Sequence, residues 1–167
     1  AYRAQDAYRG KIKKFTDEAM HYARVHGLPI VVLAGRPYHI DPEINHGIDK
    51  LIQSFDTVVV SEDGLEYILD DTGTHVLNQW TYHARLYNAA KVVSKNQDMS
   101  LVQLVSFGCG LDAITADEVR DLLEANEDIY TQIKIDEISN LGTVKIRLRS
   151  LFATLKQRKG RANSDRK

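Results

Sequence analysis

Three short apolar runs, rich in β-branched residues and separated by longer stretches of helical composition, constrain the fold of this chain most strongly. The runs are "PIVVLAG" at 29–35, "TVVV" at 57–60 and "LVQLVSF" at 101–107. Continuous apolar runs of this kind are typical of parallel strands that helices cover on both faces. A fourth, more polar run, "IYTQIKID", follows at 129–136. The pattern predicts βαβ units and a mostly parallel sheet of about four strands.

The segments around the strands carry helix start and stop signals. We expect helices over 11–25, 41–55, 79–96, 116–126 and 141–157. Asp41 followed by Pro42 is typical of a helix N-terminus, and Thr115 with Glu118 forms a capping box that opens the helix at 116. Right-handed crossovers make 2-1-3-4 the simplest strand order. The predicted fold class is therefore α/β, a Rossmann-like three-layer sandwich.

The chain has 167 residues, which is the length of one ordinary domain. We predict an N-terminal helix over 1–27 that leads into the domain, an α/β domain over 28–158 and a disordered basic tail over 159–167. Residues 61–78 are predicted to form an irregular excursion. The first residue is not methionine and the chain opens in helical composition, so we expect a fragment of a longer protein.

Composition excludes several classes of function. A net charge of −1 and a pI near 6.7 give no reason to expect nucleic acid or an anionic membrane as a partner. No apolar run approaches the ~20 residues that span a bilayer. The single cysteine excludes an internal disulfide and is typical of a reducing compartment. We expect a cytoplasmic protein.

The strand order also predicts where a ligand would bind. In an open α/β sheet, ligands lie outside the carboxyl ends of the strands where the order reverses, here between the first and third strands. The loops that leave these strands are "GRPYHID" at 35–41 and "SFGCGLD" at 106–112. The candidate ligand-binding residues are Gly35, Arg36, Pro37, Tyr38, His39, Ser106, Phe107, Gly108, Gly110 and Asp112.

The first of these loops carries groups suited to an anion. Gly35 permits a turn or a close approach of backbone to ligand, Arg36 offers a fork for carboxylate or phosphate, and Pro37 stiffens the exit. The alternative is a plain strand-ending turn in which Arg36 pairs with an acidic neighbour. The loop matches neither the dinucleotide-binding glycine motif nor a Walker loop, so no nucleotide motif supports it.

The second loop contains Cys109, and three interpretations of this thiol stay open. It is a buried structural residue, as free cysteines often are. It is a nucleophile, with His39 as base and Asp41 or Asp112 to orient that base. It is a metal or cluster ligand, which requires partners that this chain does not supply as cysteines. The flanking Gly108 and Gly110 permit backbone geometries closed to other residues, and the helix that starts near Ala116 is expected to point its positive end into the crevice.

Other titratable residues receive simpler interpretations. His21 and His83 lie on predicted helices and are interpreted as surface residues. The adjacent carboxylates Glu62 and Asp63, like the pair at 70–71, fall in the irregular excursion and are interpreted as solvated acids.

Four stretches of the chain, taken together, resemble the C-terminal domain of large CoA-substrate-specific enzyme activases, which are related to the (R)-2-hydroxyglutaryl-CoA dehydratase system. They are "VVLAGRPYHIDPEINHGI", "QWTY", "VQLVSFGCGLDAIT" and "IKIDEISNLGTVKIRLRSL". The similarity runs in order from about residue 28 to residue 155.

The resemblance implies a dehydratase-component-like domain whose relatives hold iron–sulfur clusters through cysteines at strand ends. Cys109 is then a candidate ligand of a 4Fe–4S cluster that residues outside this chain complete. Those residues belong to the remainder of the parent polypeptide or to a dehydratase-type subunit. The implied role is to support electron transfer to a reaction on an acyl-CoA, with the isolated domain inactive. ATPase motifs are absent from the sequence, so ATP hydrolysis is not expected.

Two alternatives belong to other classes of function. One is a CoA-binding or small-anion-binding module without a cluster, in which Arg36, Tyr38 and Ser106 hold the ligand. The other is a structural interaction domain of a larger protein.

Overall fold

The computed structural model of the chain describes residues 2–65, 80–106, 108, 110–135 and 141–164. In these residues the strands are β1 (Ile30–Ala34), β2 (Val58–Ser61), β3 (Met99–Val105) and β4 (Thr131–Lys134). The helices are α1 (Tyr2–Val25), α2 (Pro42–Asn45), α3 (Ile48–Gln53), α4 (Thr81–Ser94), α5 (Gly110–Glu124) and α6 (Gly142–Ser164). Single 3-10 turns follow β1 at Pro37–Ile40 and β2 at Glu62–Gly64.

The four strands form one parallel sheet in the order β2-β1-β3-β4, which confirms the predicted fold class and strand order. Val31 pairs with Val59 on one side and with Ser100 on the other, and Val102 pairs with Thr131. All strands run in one direction, so the turns that follow β1, β2 and β3 lie along the same edge of the sheet.

Helices cover both faces of the sheet and bury a separate core on each. Alternate residues of β1 face opposite sides, as the two-residue period of a strand requires. One core lies among β1, α1, α4 and α5, and includes Val32 and Val119. The other lies among β1, α3 and α6, and includes Val31 and Leu148. Every residue of β1 is buried, which explains why its sequence is a continuous apolar run.

The prediction of one continuous helix over 41–55 is wrong, since the segment forms two helices, α2 and α3. His46 and Gly47 between them adopt left-handed backbone conformations, with φ of 54° and 74°. An α-helix cannot continue through two such residues. Asp41 is nevertheless the N-cap of α2 as predicted, because its Oδ1 accepts a hydrogen bond from the backbone N–H of Glu43 at 2.9 Å.

The predicted capping box is also wrong. Helix α5 begins at Gly110, six residues before the predicted start, so Thr115 lies within the helix. The Thr115 hydroxyl donates to the carbonyl of Leu111 at 2.9 Å, a bond typical of threonine inside a helix. Glu118 is buried at 6% exposure. The positive end of α5 therefore lies directly beside the end of β3.

The two ends of the chain form long helices. Helix α1 packs on the sheet through Thr16, Met20 and Ala23. Helix α6 runs to Ser164 and so includes most of the segment predicted as a tail from residue 159. Of the predicted excursion, residues 61–65 are described and the remainder lies outside the described residues. None of the helices in the described ranges is long and apolar enough to cross a membrane.

Candidate functional site

The two predicted loops meet through an ion pair between Arg36 and Asp112. The guanidinium binds both carboxylate oxygens: Nη2 donates to Oδ1 at 2.8 Å, and Nε lies 3.1 and 3.2 Å from Oδ1 and Oδ2. The Asp112 side chain is 12% exposed and that of Arg36 is 30% exposed. Arg36 follows β1 and Asp112 lies in the first turn of α5, so the pair joins the two edges of the predicted crevice. This is the alternative in which Arg36 pairs with an acidic neighbour.

A second link is a hydrogen-bond chain through Tyr38, Ser106 and His39. The Ser106 hydroxyl lies 3.1 Å from the Tyr38 hydroxyl and 3.2 Å from His39 Nε2. On the other side of the ring, His39 Nδ1 accepts the backbone N–H of Arg36 at 3.0 Å. Since Nδ1 is an acceptor, a neutral ring carries its proton on Nε2 and donates it to Ser106.

The charge state of His39 agrees with this arrangement. Burial lowers the pKa of His39, with the Arg36 guanidinium acting in the same direction and the Asp112 carboxylate against it. The imidazole is 2% exposed and stays neutral around pH 7. The Nδ1 lone pair accepts the Arg36 N–H, so in the neutral ring Nε2 carries the proton and cannot accept one from Ser106.

Gly35 has a steric role in this network. A Cβ at this position would lie 2.4 Å from His39 Nδ1 and 3.1 Å from the carbonyl oxygen of Leu104. Gly35 therefore allows the close approach predicted from the sequence, but the group that approaches is the imidazole of this chain.

The glycines of the second loop, Gly108 and Gly110, are not crowded by the described residues around them. Among the described residues, glycines with positive φ are Gly27 and Gly47, and not Gly108 or Gly110. A Cβ at Gly108 or Gly110 would meet no atom within 4 Å, and both residues are exposed. Gly110 is already the first residue of α5, so the start of this helix does not depend on a left-handed glycine.

Five of the predicted site residues stand outside the links described so far: Pro37, Phe107, Gly108, Cys109 and Gly110. Pro37 opens the 3-10 turn after β1. The predicted residues Phe107 and Cys109 lie outside the described residues. The structure brings together the other candidates, which are Gly35, Arg36, Tyr38, His39, Ser106 and Asp112.

A second polar cluster, missed by the sequence analysis, follows β2. Arg85 of α4 donates from Nη2 to Glu62 Oε1 at 2.8 Å and lies 3.8 Å from Asp63 Oδ2. Ser61 donates to Asp63 Oδ1 at 2.5 Å. Glu62 is 4% exposed, so the prediction of a solvated acid was wrong for this residue. The signal that could have found it is its position directly after a buried strand.

Burial determines the ionisation of Glu62. It raises the pKa of the Glu62 carboxyl from 4.5 to about 7, although the Arg85 guanidinium favours the charged form. Glu62 therefore exchanges a proton near neutral pH. Its turn is tightly packed against α1, because a Cβ at Gly64 would lie 1.9 Å from Thr16 Oγ1.

His83 is buried as well, so its prediction as a surface residue was wrong. It is 8% exposed, and its Nδ1 has no hydrogen-bond partner among the residues that the structure describes. Burial lowers the pKa of His83, with Arg36 acting in the same direction and Asp112 opposing it. His21, in contrast, is exposed as predicted.

The donor set of this chain does not fit a complete metal cluster. The described part of the chain holds no group of three or more His, Cys, Asp or Glu side chains that could bind a metal ion. A 4Fe–4S cluster takes four thiolates, and the sequence has one cysteine. A cluster on this chain would therefore need ligands from elsewhere.

Comparison with known proteins supports the family resemblance. Residues 1–65 match the family described as the CoA enzyme activase uncharacterised domain. No curated protein and no solved structure gives a significant match to the chain. The matched segment contains α1, β1, the loop at 35–41 and the turn at Glu62–Gly64. It overlaps the predicted resemblance over 28–65 and supports a CoA-enzyme-activase-like domain.

Proposed function

We propose that this CoA-enzyme-activase-like domain is a non-catalytic part of an iron–sulfur protein that supports electron transfer to a reaction on an acyl-CoA. The observation that carries the proposal is the attachment of the family-matched loop at 35–41 to both ends of the turn that contains Cys109. Ser106 at one end is bound by His39 and Tyr38, and Asp112 at the other end is bound by Arg36.

These hydrogen bonds affect the entropy cost of binding a partner. A turn that is hydrogen-bonded at both ends has less conformational entropy to lose when a partner binds it. Gly108 and Gly110, the neighbours of Cys109, are exposed at the carboxyl edge of the sheet. These features support Cys109 as one thiolate of a 4Fe–4S cluster. The other ligands come from the remainder of a parent polypeptide or from a dehydratase-type subunit, and the cytoplasm is the proposed compartment.

The bonding of His39 supports a non-catalytic role. A general base needs an unprotonated nitrogen facing the reacting proton, whereas the neutral His39 ring presents a protonated Nε2 to Ser106 because its Nδ1 accepts the Arg36 N–H. The network is therefore better suited to holding a loop than to chemistry.

The proposal is tested by anaerobic reconstitution with iron and sulfide of the full-length protein that carries this domain. We expect Cys109→Ser to lower the bound iron and sulfide and the cluster absorbance. Ala113→Ser is the matched control, because it places the same side chain at an exposed position of α5. Equal iron and sulfide in both variants and in wild type would contradict the role of Cys109.

Binding of CoA without a cluster is the second candidate, favoured by Tyr38, which is 37% exposed and whose hydroxyl lies 3.1 Å from that of Ser106. The ion pair between Arg36 and Asp112 is evidence against CoA binding, since a ligand anion would have to compete with the Asp112 carboxylate for Arg36. A ligand that binds only the folded state raises the melting temperature. A rise with CoA at about 1 mM that Tyr38→Phe reduces would favour this candidate, and no rise would eliminate it.

A further inference from the structure

Two adjoining cavities open between α1 and α4 beside the carboxyl end of β2. Their volumes are about 280 Å³ and about 400 Å³. They share four lining residues, which are Tyr8, Asp63, Tyr82 and Arg85. We call the two together the tyrosine cavity. Its described lining includes Pro37 and Ile40 of the loop at 35–41, and none of Arg36, Ser106, Gly108 or Asp112.

Arg85 lines both cavities and carries a buried donor that has no partner among the described residues. The Arg85 side chain is 13% exposed, and its Nη2 bonds to Glu62. Its Nε is buried and makes no hydrogen bond with any residue in the described ranges. Leaving a buried N–H of a charged group unpaired is unfavourable, and such groups are normally satisfied by protein, water or ligand.

A second guanidinium and two aromatic rings complete the lining. Arg9 of α1 lines the larger cavity and makes no ion pair or hydrogen bond with a described residue. Tyr8 is 57% exposed and Tyr82 is 50% exposed, although both are large and partly apolar. The smaller cavity adds the apolar side chains of Pro37 and Ile40.

The charges of the lining restrict the ligand. Arg9 and Arg85 attract an anion, whereas Glu62 and Asp63 repel one. Attraction and repulsion both double for a phosphate dianion at the same place, whereas the cost of removing the ligand from water rises more steeply with its charge, so a monoanion is favoured. The aromatic and apolar walls favour a flat hydrocarbon body.

We propose that the tyrosine cavity binds a small monocarboxylate with a flat aromatic body. The carboxylate lies between the guanidiniums of Arg9 and Arg85, and the ring packs against Tyr8 and Tyr82. This inference is independent of the proposed function, because the ligand contacts are made by residues of α1 and α4 that have no part in that proposal.

The neighbouring Glu62 makes binding depend on pH. The charged groups that face it are Arg85 from α4 and Asp63 from its own turn, and Arg9 from α1 lines the adjoining cavity. When Glu62 is protonated it no longer competes with a ligand for Arg85. Because burial raises the pKa of Glu62 to about 7, the carboxylate should bind more tightly at pH 6 than at pH 8.

Isothermal titration of the full chain with sodium phenylacetate tests the proposal. We expect binding to be weakened about tenfold when the probe is the neutral phenylacetamide, and also weakened with phenyl phosphate. The variant Arg9→Gln should lose about tenfold in affinity, while Arg3→Gln, an exposed arginine of the same helix, should bind as wild type does. Tyr82→Ala should also weaken binding.

Three results would overturn the proposal. They are no binding of phenylacetate up to about 10 mM, equal affinity of the Arg9→Gln and Arg3→Gln variants, and tighter binding of phenyl phosphate than of phenylacetate. None of these results affects the reconstitution experiment with Cys109, so failure of one proposal is distinguishable from failure of the other.

Discussion

At the scale of single residues, Gly35 is a position where a side chain cannot be added without displacing its neighbours. Its missing side chain makes room for the imidazole of His39, whose Nδ1 would lie 2.4 Å from a Cβ. The ring is fixed by hydrogen bonds on both sides and cannot move without breaking them. The absence of a side chain at Gly35 is therefore required for the hydrogen bonds through which His39 holds Ser106.

We expect Gly35→Ala to lower the free energy of unfolding by about 1–3 kcal/mol, the usual cost of overpacking a tight site. Gly108→Ala is the control, because a Cβ there meets nothing within 4 Å. It should change stability by less than about 0.5 kcal/mol. Urea denaturation of both variants measures the difference, and equal stabilities would contradict the steric role of Gly35.

Glu62 gives the second prediction at this scale. Burial raises the pKa of this carboxyl from 4.5 to about 7, so between these values the folded chain holds the proton more tightly than the unfolded chain. The contribution of Glu62 to stability therefore falls as pH rises from about 4.5 to about 7, and is constant above that range.

The variant Glu62→Gln keeps the shape and removes the titration. We expect its stability relative to wild type to increase with pH over this range, by at most about 3 kcal/mol. Comparing the two proteins cancels the contributions of the histidines. Denaturation midpoints at several pH values provide the measurement, and a stability difference independent of pH would show that Glu62 titrates normally.

The position of a residue directly after a strand was a better guide to its place in the structure than the burial expected from its residue type. Tyr38, His39 and Ser106 follow strands, and the structure joins them as predicted for one crevice. Glu62 and His83 were misjudged because a side chain's burial depends on which helix packs over it. That packing is a tertiary property which residue type does not reveal.

At the scale of elements, the Arg36–Asp112 pair joins the loop after β1 to the first turn of α5. Both carboxylate oxygens are engaged and the Asp112 side chain is 12% exposed, so solvent screens the pair only partly. Such a pair stabilises more than an exposed pair on one helix.

A double-mutant cycle with Arg36→Gln and Asp112→Asn should give a coupling energy of about 1–2 kcal/mol. The comparison is Asp117 with Arg120, an exposed pair on α5 with an N–O distance of 2.9 Å. Its coupling should stay below about 0.5 kcal/mol. Both cycles use urea denaturation. A coupling at Arg36–Asp112 no larger than that of the exposed pair would contradict its role as the link between these elements.

Element boundaries were less predictable than element types. The break between α2 and α3 depends on left-handed backbone at His46 and Gly47, and a single glycine within a helical pattern does not require it. The misplaced start of α5 came from Thr115, whose hydroxyl bonds within the helix instead of capping it. The same residue types serve both purposes, so local sequence cannot separate them.

At the scale of the whole molecule, the sheet order follows directly from the sequence. Three buried runs separated by helices permit few right-handed arrangements, and the simplest of them is the one observed. The order places the loops after β1, β2 and β3 along one edge, and the Cys109 turn and the tyrosine cavity lie at different points of it. The structure therefore has room for two separate interactions at one edge.

The central claim is that Cys109 is one ligand of a cluster completed from outside this chain. Electron paramagnetic resonance of the reduced, reconstituted full-length protein tests it most directly, because replacing a thiolate by an alkoxide changes the electronic structure of the iron. We predict that Cys109→Ser alters or abolishes the cluster signal while Ala113→Ser retains it. A wild-type signal from the Cys109→Ser variant, with unchanged iron content, would contradict the claim.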